Sequence, residues 1–154
     1  MNERVTECLQ NFGVRHYNCA QSVLCTYADE MGVDKEVLYR LAESLGGGLG
    51  GLEEVCGAFS AACLVLGYHT SDGNLDGGHT KFVTRKAIGE AAEAFREEMG
   101  SIVCREILKN PPSDPVPSPR TEEYYATRPC VRMVYCAANI LEEYISANPP
   151  KKDN

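Results

Sequence analysis

Tryptophan is absent from this 154-residue chain, no C-x-x-C pair occurs among its eight cysteines, and its 15 lysines and arginines form no run longer than Lys151-Lys152. The last two gaps each remove a class of function. Without C-x-x-C, a thioredoxin-type couple, a zinc ribbon and a c-type haem attachment are all excluded. Without a basic footprint, and with a formal net charge of −7, no nucleic-acid partner is expected. The longest strongly apolar stretch, residues 58–66, is about half a membrane span, so no membrane insertion is expected either. Residues 1–10 are charged and amphipathic with no apolar signal segment behind them, which points to the cytoplasm. No Ser-His-Asp or paired-carboxylate constellation stands out, and a hydrolase has no foothold.

What is present is an ordinary globular composition, 44% hydrophobic and 24% charged, at a length that suits one compact domain. Apolar residues recur at helical spacing nearly throughout, and no segment shows sustained period-two alternation. The expected fold is all-α, a single compact bundle of about six to seven helices, standing alone or as a homodimer. The domain spans residues 1–148, with a frayed tail at 149–154.

Helix signals divide the chain. A first helix is expected over residues 3–12, and a second from the Asn18 cap to Met31, where Gly32 stops it. Asp34 caps a third, over 35–45. Residues 46–51 hold five glycines around Leu49, too many for helix. Such a loop lets backbone approach a neighbour closely. Its phosphate-binding reading fails, because a P-loop needs Gly-Lys-Ser/Thr and Glu53-Glu54 would repel phosphate. A fourth helix over 53–66, apolar on nearly all sides, reads as the buried hub. Residues 72–77 resemble the first half of a calcium loop, but Val83 stands where the bidentate glutamate belongs, so an ordinary loop is expected. A fifth helix spans 80–99 with Phe82, Ala87, Ile88, Ala91 and Phe95 as its buried stripe, and Gly100 ends it. Ser101 then caps a short helix over 104–109. Residues 110–120 carry five of the eight prolines and read as a surface strap. The last helix begins near Thr127-Arg128-Pro129 and runs to Ile145.

Eight cysteines are many for a reducing compartment, where a surplus points to metal binding or redox work. Helix position sorts them. Cys19, Cys56, Cys104 and Cys130 fall in first turns, where free backbone N–H groups and the helix dipole favour thiolate. Cys8, Cys25, Cys63 and Cys136 fall mid-helix and read as small core hydrophobes. Cys63, seven residues after Cys56, shares its helical face and could join the site. His16 and Tyr17 beside Cys19, and Arg105 beside Cys104, are candidate neighbours that orient a ligand or lower a thiol pKa.

These residues, in order and spacing, resemble the family of redox-active proteins named for the cysteine pattern C_GCAxxG_C_C. The resemblance runs from Asn18-Cys19-Ala20 through the glycine run to Val55-Cys56-Gly57-Ala58, then Gly100-Ser101, Cys104-Arg105 and Cys130. It implies that Cys19, Cys56, Cys104 and Cys130 are the signature cysteines, the same set that helix position selects. One departure is Ala61, where the family pattern has glycine. The resemblance implies redox chemistry, in an oxidoreductase or an electron-transfer accessory serving a redox partner protein, without naming a reaction. Two mechanisms stay open: a four-thiolate site holding an iron–sulfur cluster or Zn²⁺, or a dithiol–disulfide couple without cofactor. A third reading is a non-redox helical interaction module whose cysteines are merely buried.

Overall fold

The computed structural model describes residues 2–109 and 116–149. Most of the strap, residues 110–115, and nearly all of the tail expected at 149–154 lie outside the described residues. The chain is all-α. Its helices are α1 (Glu3–Gly13), α2 (Cys19–Leu24), α3 (Ala28–Met31), α4 (Lys35–Glu43), α5 (Gly57–Thr70), α6 (Lys81–Met99), α7 (Cys104–Leu108), α8 (Glu122–Thr127) and α9 (Cys130–Ala147). Among the described residues, the one backbone pairing outside helices and turns is a single antiparallel bridge between Val55 and Val103.

Helix α5 is the hub, packed against α2, α6 and α9, and α1 closes the bundle across α2 and α9. Small residues let these helices approach: Ala58, Ala61 and Ala62 of α5, Ala20 of α2 and Ala137 and Ala138 of α9 are all buried, in one core with Phe59, Leu66, Phe95 and Leu141. Ala61, where the resemblance leads one to expect glycine, is wholly buried in this core. Cys8, Cys25 and Cys136 also lie in the core, and Cys63 packs against its edge.

Local chemistry moves several boundaries. The helix expected over 18–31 is α2 and α3 joined by a 3-10 turn at Cys25–Tyr27, and Gly32 ends it with φ 63°. Glu122–Thr127 forms the short α8, capped by Thr121, ahead of the last helix. The stripe expected on α6 holds at Ala87, Ala91 and Phe95, but Phe82, in the first turn, is 77% exposed. The hub helix starts at Gly57 rather than near residue 53. Glu53 takes φ 58°, and residues 54–56 run alongside 102–104, with Cys56 N–H donating to the Ile102 carbonyl and Cys104 N–H to the Glu54 carbonyl. A backbone committed to that pairing cannot also be a helical first turn.

Candidate thiol site

The four candidate cysteines stand at four helix starts. Cys19, Cys104 and Cys130 are the first residues of α2, α7 and α9, and Cys56 is the N-cap of α5. Local sequence holds three of them in place. At α2, Asn18 accepts a hydrogen bond from Gln21 N–H at 2.7 Å while the Gln21 side chain accepts from Asn18 N–H at 3.0 Å. The same two side chains donate to the carbonyls of Ala42 and Tyr39, so this capping box also rivets α2 to α4. At α7, the Ser101 hydroxyl accepts from Val103 N–H and donates to Glu106, which sets the chain to enter the helix at Cys104. At α9, Pro129 precedes Cys130 with a φ already suited to a helix.

The glycine run fits against these starts. Gly47, Gly48, Gly50 and Gly51 all have positive φ. A Cβ on Gly48 would stand 2.7 Å from the Cys104 Cβ, and one on Gly57 would stand 2.8 Å from Cys19 Sγ and 2.6 Å from the Leu45 carbonyl oxygen. Backbone without side chains is thus what lets two of the thiols sit where they do. Arg105 anchors the far edge of this loop by pairing with Glu54 and donating to the carbonyls of Leu52 and Glu53.

Cys19, Cys56, Cys104 and Cys130 line one cavity of about 70 Å³, together with Met133, Tyr124, Arg120 and Arg128. Sequence positions 19, 56, 104 and 130 are therefore neighbours in space. Cys56 Sγ lies 3.4 Å from the Met133 sulfur, and the Ala58 N–H is directed at the sulfurs of both Cys19 and Cys56. All eight cysteines are free thiols. Cys63 lines no part of this cavity, because its supposed partner on the helical face, Cys56, precedes the helix.

Electrostatics here differ from the thiolate-favouring setting expected at helix starts. Burial pushes the Cys19 thiol up to about 11 and Cys104 to about 12, and raises Cys56 well above the ordinary thiol range. Desolvation of the charged form outweighs the backbone donors. Mutual repulsion adds to it: each of these three is raised further by a charge on another member of the set. Cys130 is raised too, by burial, but four contacts oppose the rise: hydrogen bonds from Tyr124 and Arg128 and the charges of Arg128 and Arg120. It has the most thiolate-favouring surroundings of the set.

Arg120 and Arg128 escaped the sequence reading. Arg120 lies over the rings of Phe12, Tyr124 and Tyr125 at 4.9, 4.7 and 5.9 Å, and Arg128 over Tyr124 at 5.0 Å. The cation–aromatic stack holds both cations at the thiol cavity. Their alternation with tyrosines, from Arg120 through Tyr124-Tyr125 to Arg128, was the available signal. His16 lines a larger outer pocket, Tyr17 contributes its carbonyl to Arg120, and Arg105 serves the loop.

The donor set, four thiols and a thioether, is of the kind soft metals take. Among the described residues, however, no group of three or more histidine, cysteine, aspartate or glutamate side chains is arranged to hold a metal ion. Among them, too, no helix is long and apolar enough to cross a membrane. In comparisons with known proteins, the family model described as "Putative redox-active protein (C_GCAxxG_C_C)" matches residues 17–144. No curated protein and no solved structure matches the chain.

Proposed function

The chain belongs to the C_GCAxxG_C_C family of redox-active proteins, and from that premise we propose that it works as a dithiol–disulfide redox protein through Cys19, Cys56, Cys104 and Cys130. The observation that carries this reading is the gathering of four thiols from distant stretches of chain around one small cavity.

In this reading two thiols become one disulfide, giving two electrons and two protons to a disulfide-class acceptor, and the remaining pair extends the capacity to four electrons. Cys130 is the inner thiol that attacks to close the protein disulfide. Tyr124 and Arg128 donate to its sulfur, and the charges of Arg128 and Arg120 stabilise the thiolate against burial. Cys56, fully enclosed, is a resolving or storage thiol. A redox partner protein or small thiol would restore the reduced state.

The test is a count of titratable thiols in denatured protein, before and after mild oxidation of the native chain. A loss of two or four, mapped to the four signature positions and absent from the variant with all four changed to serine, supports the reading. A loss confined to Cys8, Cys25, Cys63 or Cys136, or no loss, overturns it.

A metal-thiolate site is the second reading, favoured by the Met133 thioether beside the Cys56 sulfur on the cavity wall. It requires the sulfurs to draw in around an iron–sulfur cluster or Zn²⁺. About one metal centre per chain in protein purified without oxygen, lost when any of the four becomes serine, would favour it over the couple.

A further inference from the structure

An outer pocket of about 480 Å³ adjoins the thiol cavity, within the size range of small-molecule sites. Cys104, Arg120, Tyr124 and Arg128 line both spaces, so they form the passage between them. The wall formed by the glycine run and α4 carries Glu43 and Glu53, and the strap and α8 carry the two arginines. These four charges are balanced in sign, yet none is paired with another. Among the described residues the ion pairs are Arg4 with Glu30 and Glu142, Lys35 with Glu7, His79 with Asp72, Lys86 with Glu90, and Arg105 with Glu54. Arg128 instead donates to Ser118, and Arg120 to Tyr17 and Tyr125.

Among the described residues these two cations and two carboxylates have no ion-pair partner, and their placement in one pocket beside a thiol suits a ligand that carries both charges itself. We propose that the outer pocket binds a small zwitterionic disulfide of the amino-acid type, its carboxylate on Arg120 and Arg128, its ammonium toward Glu43 and Glu53, and its sulfurs at Cys104. This rests on the thiol–disulfide reading above and names its substrate class. Planar guanidinium groups match a carboxylate, and an ammonium pairs with either acid.

The exchange balances without a further reactant. The Cys104 thiolate attacks one ligand sulfur, so a Cys104–ligand disulfide forms, the ligand S–S bond breaks, and one half leaves as thiolate with the bonding pair. A second thiol of the inner cavity then attacks the Cys104 sulfur, forming the protein disulfide and releasing the other half. Two protein thiols are oxidised, one small disulfide is reduced to two thiols, and the two protein protons pass to the two leaving thiolates.

The test follows thiol loss in the reduced full-length chain with four probes. Cystine carries both charges, dithiodiglycolate only carboxylates, cystamine only ammoniums, and 2-hydroxyethyl disulfide none. Each rate is divided by that of the same probe with free 2-mercaptoethanol, which removes intrinsic reactivity. Cystine is expected to exceed 2-hydroxyethyl disulfide by about tenfold, with the singly charged types between. Arg128→Gln should shrink the dithiodiglycolate ratio and Glu53→Gln the cystamine ratio. Equal normalised rates for all four probes, or ratios unchanged in both variants, overturn the substrate class while the redox reading stands. No thiol loss with any probe overturns both.

Discussion

Gly57→Ala tests whether the thiol site depends on backbone closeness. In the native chain Gly57 opens α5 and its φ is not in the left-handed region, so the backbone itself would accept alanine. Space would not. The new methyl would meet the Leu45 carbonyl oxygen at 2.6 Å and Cys19 Sγ at 2.8 Å, with the Ala20 methyl at 3.3 Å. Two of these neighbours are held, one by the chain leading into the glycine run and one by the capping box at α2. Relief must therefore shift α2 against α5. Overpacking of this kind costs about 2 kcal/mol, which for a chain of this size lowers Tm by about 4–8 °C. The matched control is Gly89→Ala, in the interior of α6, where a Cβ meets nothing within 4 Å. Removing that glycine should stabilise the helix by about 0.5–1 kcal/mol. Denaturant titration of the three proteins gives the comparison, and iodoacetamide labelling of Cys19 reports the local displacement. Equal stability of the two alanine variants, with Cys19 labelling unchanged, would refute the close approach.

Asn18→Ala removes one half of the capping box and the donor to the Ala42 carbonyl, and should cost about 1–2 kcal/mol by chemical denaturation. Stability should also fall as pH rises from 8 to 10.5. All eight thiols ionise later in the folded chain, with Cys19 raised to about 11 and Cys104 to about 12, whereas unfolded thiols ionise near 8.5. The folded state binds the extra protons in that window, so its advantage is complete below the unfolded value and drains away above it. A denaturant midpoint that holds constant to pH 10.5 would contradict the burial. Tyr124→Phe deletes a hydrogen bond to the Cys130 sulfur and should slow alkylation of Cys130 at pH 8 by about threefold, leaving Cys136 unaffected.

How much of this was legible in the sequence varies with the physics involved. Caps were: Asn18 and Asp34 act as helix starts, and Gly32 and Gly100 as stops, because each signal is local. Which residues form the α5 hub was legible from its small apolar composition, but its start was not. The pairing of 54–56 with 102–104 is a contact across about fifty residues, invisible to periodicity. The four cysteines could be assigned to helix starts, yet their protonation could not. Burial depends on what packs around a first turn, and here it overrides the N-terminal field. Arg120 and Arg128 were missed for a related reason. Their placement at the thiols depends on stacking with Phe12, contributed by α1 from the other end of the sequence.

The most direct test of the account is proximity labelling of the reduced native protein with phenylarsine oxide, which bridges two thiols only when they stand close together. One or two arsenicals per chain, located by peptide mass spectrometry on pairs drawn from Cys19, Cys56, Cys104 and Cys130, is the predicted result. Failure to bridge any such pair in native protein, with bridging restored only on unfolding, would contradict it.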